Sequence, residues 1–371
     1  MTGDTHQRLR CHYELRCRAG ESAERKARGI ALEQTVELPD AVLGEDVREA
    51  IVGRVERLEQ RSGRRWEAVI SYPAGIVAGE WPALLNLLYG NISLKPGIRI
   101  TDIDWPTSLL EQFGGPAFGI AGLRELVGAP ERALCATALK PVGASTATLA
   151  ALAGEFAAGG IDIIKDDHSL ADQRWSRFRD RVDACQHAVG RANARHGGRT
   201  LYFPNVTAAP ALFDERLAIA SAAGCRGVLV NPWLVGLDSI ARARDAGLAV
   251  MAHPSLSGAL LGRTRGLSAA LVYGDLMRLA GADAVIYTNA GGRFDFPLTR
   301  CRRINDRLRR PWQPLRPAFP VPAGGIDSAR AGHWIRQHGR DTILLIGGSL
   351  YLQPDRPAAA ARLRHATECT E

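Results

Sequence analysis

The sequence predicts an α/β chain in two parts: a C-terminal (β/α)8 TIM barrel over residues 116–371, preceded by an α+β ferredoxin-like domain over residues 1–115. Three observations predict it. From about residue 130 onward, short apolar runs alternate with helical patterns eight times, the signature of a closed parallel barrel rather than an open sheet. Several of those runs close on a polar or glycine residue: Lys140, Lys165, Asn205, Asn231, His253, Asn289, Gly324 and Gly347. Before residue 115 the order is instead strand, helix, strands, helix, strand.

In chain order, residues 8–18 alternate like a strand and 21–33 read as a helix. Residues 65–72 form a second strand ending at Pro73, 81–89 an apolar helix, and 97–103 a strand. Gly and Pro between 114 and 116 mark a boundary. Barrel strands are expected at 134–139, 161–164, 200–203, 227–230, 248–251, 283–287, 319–321 and 342–346. Helices are expected at 146–158, 174–195, 211–223, 237–246, 267–280, 298–308 and 328–337, with the last near 356–364.

Composition narrows the function classes. At 371 residues the chain can bury two cores. The net charge of +8 permits anionic ligands, but the arginines are scattered without a basic, aromatic-interleaved run, so nucleic acid is not an expected partner. Seven cysteines without paired spacing read as reduced thiols. No signal peptide and no apolar run of transmembrane length are visible, which makes the expected location cytoplasmic, away from membranes.

The chemistry concentrates in GGIDIIKDDHSLADQ, residues 159–173. An apolar run buried on both faces ends in Lys165, Asp166, Asp167 and His168, and four ionisable residues there are costly without a task or partners. The bland alternative is a strand end meeting solvent. The sharper reading is a metal site with an oxygen ligand from Asp167, a nitrogen ligand from His168 and, from a neutral Lys165 amine that has taken up CO2, a carbamate oxygen. Of 47 basic residues 43 are Arg and four are Lys, at 26, 95, 140 and 165. Arginine cannot lose its proton and lysine can, so the two lysines at strand ends, Lys140 and Lys165, stand out as chemical residues. Lys95 reads as a solvated loop lysine, and Asn205 and Asn231 as strand-end caps.

With that architecture, the motifs resemble those of the ribulose-bisphosphate carboxylase large subunit and its relatives. GGIDIIKDD followed by ADQRW resembles the family's metal-binding segment, and TALKP (137–141) its strand-one lysine motif. YGN (89–91) resembles an N-domain motif, while PAGGID (322–327) and IGGS (346–349) resemble two phosphate-binding glycine turns. The matches come in family order from about Glu33 to Ser349. The resemblance implies a homodimer with active sites shared between one barrel and the partner's N-terminal domain. It places Lys165 on the carbamylated lysine, Asp167 on an aspartate ligand, and His168 where the carboxylase has a glutamate ligand. Mg2+ is the implied ion, with Mn2+ or Zn2+ as alternatives because an imidazole replaces a carboxylate. Lys140 falls on the lysine beside the substrate carbonyl and His253 on the catalytic histidine of strand five. Glu33 and Asn91 fall on residues that reach the active site from the partner domain, and Gly324, Gly325, Gly347 and Gly348 on phosphate-binding turns.

The departures point away from CO2 fixation. Pro254 stands in place of a phosphate-gripping arginine, Ile286 of a histidine for the same phosphate, Ala323 of a serine, and Val142 of a second lysine. Arg293 stands near the mobile-loop lysine and, with the loop around 256–266, is expected to shape the substrate pocket. One phosphate site is dismantled and the other kept, so the resemblance implies a RuBisCO-like (form IV) protein acting on a monophosphate. The chemistry implied is a metal-stabilised enediolate formed from a phosphorylated ketose, with Lys140 as base if burial and neighbouring cations tune it, and His253 moving a proton. An isomerase of a (methylthio)ribulose phosphate type sugar comes first. A decarboxylase or transcarboxylase of an oxo-sugar-acid phosphate such as oxo-isoapionate phosphate is the alternative, and an enolase ranks last because that branch tends to carry lysine at Asn91. A non-catalytic relative with a binding or regulatory role is the second alternative.

Overall fold

The computed structural model describes residues 7–294 and 296–368. Among them are thirteen strands in chain order: β1 Arg8–Arg16, β2 Arg54–Ser62, β3 Arg65–Pro73, β4 Ile98–Asp104, β5 Leu134–Leu139, β6 Ile163–Asp166, β7 Leu201–Phe203, β8 Gly227–Val230, β9 Ala249–Ala252, β10 Gly266–Leu267, β11 Ala284–Thr288, β12 Phe319–Ala323 and β13 Ile343–Leu345. They divide between two compact units. The first takes the chain up to Gly114 together with Leu256–Val272, and the second takes Gly115–Ser255 and the chain from Tyr273 onward.

In the first unit the sheet order is β10-β4-β1-β3-β2. β1 pairs antiparallel with β3 and β4, and β2 antiparallel with β3, which with the helices Ala23–Glu33 and Trp81–Tyr89 gives the ferredoxin-like connectivity. β1 buries alternate residues, Leu9, Cys11, Tyr13 and Leu15, as a half-buried strand must. The helix Ala23–Glu33 starts where Ser22 accepts a hydrogen bond from the Arg25 N–H. β2 has no counterpart in the expected elements. It is an edge strand, polar on both faces (RVERLEQRS), so no apolar alternation betrays it. Leu256–Val272 interrupts the barrel domain expected over 116–371: β10 adds parallel to β4, and the Gly266 N–H donates to Tyr89 Oη at 2.6 Å. The helix expected over 267–280 is therefore three pieces: the end of β10, a π-helical turn Ala270–Asp275, and the helix Leu276–Ala280.

The second unit is a parallel eight-stranded sheet in the order β7-β6-β5-β13-β12-β11-β9-β8. Its ends meet through a parallel bridge of Asn205 with Leu229, so the sheet closes. All eight expected strands are present, shifted by at most about two residues at an end. The interior is filled by residues spaced by two: Leu134 and Ala136, Ile163, Phe203, Leu229, Ala249 and Met251, Ala284 and Ile286, Phe319 and Val321, and Ile343. At one end of the barrel the buried Asp283 carboxylate accepts the N–H groups of Phe118 and Gly119 on Oδ1 (2.9 and 2.6 Å) and of Val250 on Oδ2 (2.8 Å). The six described cysteines are free and buried, and no described helix is long and apolar enough to cross a membrane. Cys369 lies outside the described residues.

Asp283→Ala leaves three N–H donors unpaired, two of them buried and that of Phe118 part-buried. Urea unfolding is expected to show a loss of about 2–4 kcal/mol. A loss below about 0.5 kcal/mol would mean that Asp283 does not hold the segment before β5 to the barrel.

Candidate active site

The two-residue period of the strands decides which side chains reach the barrel mouth. Continuing the interior series past each strand end brings Lys140 from β5, Lys165 and Asp167 from β6, Asn205 from β7, Asn231 from β8 and His253 from β9 onto one phase. Asp166 and Asn289 fall on the opposite phase, toward the helices.

Contacts bear out this division. Asp166, fully buried, accepts from Arg181 Nε (3.1 Å), Tyr202 Oη (2.7 Å) and the Asn205 N–H (3.1 Å). Its carboxylate is occupied behind the sheet and takes no part in the mouth. Lys165, 2 % exposed, donates only to the Asp166 carbonyl at 3.0 Å among the described contacts. Burial is the main reason its pKa falls from 10.5 to about 8; the Lys140 charge adds to the effect and Asp167 opposes it. Asp167 receives Lys140 Nζ at 2.7 Å, and His168 Nδ1 lies 3.3 Å from its other oxygen. Burial disfavours its charge, yet Lys140, Lys165 and His168 together hold the carboxyl below its ordinary value.

His168 and His253 stack, with ring centroids 4.4 Å apart and planes at 11°. Both are held below the ordinary imidazole value, first by burial and then by the lysines around them, His253 strongly so. The Ser255 N–H points at His253 Nδ1 (3.3 Å), and Ser255 Oγ lies 2.9 Å from the same atom. A backbone N–H can only donate, so Nδ1 accepts and the neutral ring carries its proton on Nε2.

Three positioning groups had no signal in the sequence or a weak one. Tyr351 Oη accepts the Lys140 N–H (2.9 Å) and donates to the Ala138 carbonyl (2.8 Å), bracing the end of β5 across more than two hundred residues of chain. Ser255 sets the His253 tautomer from two residues away. Asn205 Nδ2 donates to the carbonyls of His168 (3.0 Å) and Leu170 (2.9 Å), so it fixes the loop that carries His168 as well as capping its own strand.

Of the two glycine pairs, Gly324–Gly325 forms a left-handed turn, whereas Gly347 caps the short helix Gly348–Tyr351. Gly324 and Gly325 have φ of +100° and +67°, and a Cβ on Gly325 would stand 2.6 Å from the Gly291 carbonyl oxygen. Gly347 and Gly348 have nothing within 4 Å of an added Cβ, and beside them Ser349 Oγ is buried without a protein partner. Ile286 packs in the barrel core, and Ala323 lies against that core, so neither offers a polar group. Arg293 is exposed, its guanidinium 5.0 Å over the Phe294 ring.

In the first unit, Glu33 accepts from Asn91 Nδ2 at 3.2 Å and pairs with Lys95. Lys95 is an exposed loop lysine, as expected, and it also pairs with Glu33 on the surface. Its hydrogen bond is the chief cause of a Glu33 carboxyl below the ordinary range.

Asp167 and His168 converge, and no group of three His, Cys, Asp or Glu among the described residues could hold a metal ion. A divalent cation fits this donor set only if Lys165 contributes as well.

Burying Lys165 opposes its charge, which gives a stability signature. In CO2-depleted buffer below pH 8 the folded chain carries a disfavoured ammonium, a burden of about 3 kcal/mol for the shift. As pH rises from about 8 toward the unfolded value near 10.5, the folded state sheds the proton first and the burden disappears. Lys165→Met should therefore be more stable than the parent at pH 7, with the gain shrinking from pH 8 to 10.5 in urea unfolding. A gain that does not change with pH, or a loss, would contradict a depressed Lys165.

Comparison with known proteins agrees with this geometry. Residues 119–296 match the family model described as the ribulose bisphosphate carboxylase large chain, catalytic domain. The chain is 41% identical over 351 residues to ribulose bisphosphate carboxylase-like protein 1 of Rhodopseudomonas palustris, covering 94% of each. It is 39% identical over 353 residues to the 5-methylthioribulose-1-phosphate isomerase of Rhodospirillum rubrum, covering 94% of this chain and 93% of that one. A crystal structure of a Rubisco-like protein from Rhodopseudomonas palustris superposes with a TM-score of 0.88 over 98% of both chains at 39% identity. With its closed barrel, its ferredoxin-like unit and its lysine-tipped strands, the chain belongs to the RuBisCO large-chain family as a RuBisCO-like protein.

Proposed function

We propose that this protein is a metal-dependent isomerase of a phosphorylated ketose of the 5-methylthioribulose 1-phosphate type, and not a CO2-fixing carboxylase. The observation that carries the proposal is the cluster at one barrel mouth: Lys140 on Asp167, Lys165 buried beneath, and His168 stacked on His253. The 39% identity to an isomerase of that name supports the substrate class. Apolar Ile286 and Ala323 beside intact glycine turns favour one phosphate group over two.

Lys165, Asp167 and His168 would hold the ion, Mg2+ first, with Mn2+ or Zn2+ suited to the imidazole. A pKa near 8 leaves part of the Lys165 amine neutral at physiological pH. That amine adds to CO2, forming an N–C bond and releasing one proton to solvent, and gains an anionic oxygen donor. When bound, the ion supplies the positive charge that acidifies the C–H beside a ketose carbonyl. Lys140 Nζ is the group we assign to remove and return that proton. His253 presents its Nε2–H and serves as a donor to a developing oxyanion rather than as the first base. The N–H groups of Gly324, Gly325, Gly347 and Gly348 and the unspent Ser349 hydroxyl take the phosphate. Arg293 shapes the open side of the pocket. Glu33 and Asn91, held together with Lys95, serve the site of a second copy in a homodimer. A non-catalytic role is disfavoured by Lys165 itself, because a chain without this chemistry gains nothing from a buried lysine.

The test is proton exchange. With 5-methylthioribulose 1-phosphate, Mg2+ and bicarbonate in D2O, NMR is expected to show metal-dependent incorporation of deuterium at carbon beside the carbonyl. Lys140→Met should lower exchange at least about a hundredfold while phosphate binding stays within about twofold. Exchange that persists in Lys140→Met moves the base to His253. No exchange, with CO2 release from a β-keto acid phosphate, overturns the isomerase in favour of a decarboxylase.

A further inference from the structure

Asn289 follows β11 on the outward phase, and its side chain leads away from the mouth into the helix layer. Tyr287 Oη donates to Asn305 Oδ1 at 2.6 Å. The Asn305 amide is then left with its N–H groups toward His338, and Nδ2 lies 3.1 Å from His338 Nδ1. An amide nitrogen can only donate, so Nδ1 accepts and the ring's proton sits on Nε2, which donates to Asn289 Oδ1 at 2.9 Å. Asn289 Nδ2 in turn donates to the Gly324 carbonyl at 3.3 Å, while its backbone N–H holds the Ala323 carbonyl at 2.9 Å. All four side chains are buried, with 0–1 % exposure. Every bond runs in one direction, and reversing any one alone would leave two buried donors or two buried acceptors facing each other.

The chain ends on a turn with little latitude. Gly324 and Gly325 are both left-handed, and Gly291 and Gly292 pack against them so closely that no side chain would fit on Gly325. His338 is fixed from three sides: its ring stacks on Trp334 (5.6 Å, 16°), and its carbonyl accepts from Thr342 Oγ1 (3.2 Å) and Arg309 Nη1 (2.6 Å). Burial, reinforced by Arg309, Arg302 and His333, lowers the His338 pKa to about 4, so the ring stays neutral, as the donor pattern requires.

We propose that His338, acting through Asn289, is a positioning residue for the Gly324–Gly325 turn, so that anion affinity at the mouth depends on a histidine in the helix layer behind the barrel. This rests on reading the glycine turns as the phosphate site. The tests use the full-length protein and inorganic phosphate, followed by calorimetry. His338→Phe keeps the ring and its stack on Trp334 but removes both nitrogens, and is expected to weaken phosphate binding at least fivefold. His338→Gln, which can accept from Asn305 and donate to Asn289, is expected to restore it to within about twofold. Unchanged affinity in His338→Phe overturns the proposal, as does equal weakening in both variants, which is what a purely structural role would give. Gly325→Ala separates the two readings. If it abolishes binding while His338→Phe does not, only the positioning role falls; if it leaves binding unchanged, the phosphate reading falls and the proposal with it. Should His338→Phe fail to fold, the parent protein labelled with 15N-histidine decides. Phosphate should shift the His338 nitrogen resonances with the midpoint seen by calorimetry, and silent His338 resonances at phosphate saturation overturn the proposal.

Discussion

Everything at the mouth of the barrel depends on the phase of β6. Within five residues, this strand and the position after it must bury Ile163 in the barrel core, present Lys165 and then Asp167 to the mouth, and bury Asp166 behind the sheet. A shift of one residue would exchange the two aspartates and turn the lysine into the helix layer. The phase is locked from behind, where Arg181, Tyr202 and the Asn205 N–H all converge on the Asp166 carboxylate. The Arg181 and Asp166 side chains are wholly buried, so removing either leaves a charge with no water to turn to. The run of four ionisable residues thus splits into a structural aspartate, Asp166, and three residues at the mouth, Lys165, Asp167 and His168, which Asp166 helps to hold in phase.

Much of this was legible in the sequence, and for identifiable reasons. Strands buried on both faces write themselves as short apolar runs, so all eight barrel strands could be read. Their polar ends, Lys140, Lys165, Asp167 and His253, could be read because lysine is so rare here that its placement carries information. Polar edges are not written that way, and β2, exposed along most of its length, left no pattern. The residues 267–280 looked like one amphipathic helix because a two-residue strand and a π turn both preserve apolar spacing over so short a span. Partners distant in sequence were equally hidden. Neither Tyr351 under Lys140 nor His338 behind Asn289 could be inferred from neighbours in the chain, since only barrel closure brings them together. The surface pair of Lys95 with Glu33 is hidden for the same reason, since Glu33 lies on another element.

The two kinds of phosphate recognition also differ in how easily they can be lost. Side-chain grips vanish by single substitution, and Ile286 and Ala323 now belong to the apolar packing of the barrel. A glycine turn recognises an anion with backbone N–H groups, so its loss would require rebuilding the loop. Gly325 cannot even accept a methyl group without meeting the Gly291 carbonyl. On the proposed reading, the imidazole of His168 brings no negative charge to the donor set, so cation binding would depend on the oxygen proposed at Lys165.

On that reading, cation binding turns on the state of Lys165. The direct measurement is 13C NMR of the full-length protein in 13CO2-equilibrated buffer near pH 8 with Mg2+. One slowly exchanging carbamate resonance per chain is expected, present in the parent and in Lys140→Met and absent from Lys165→Arg. Identical spectra from the parent and Lys165→Arg would contradict that reading.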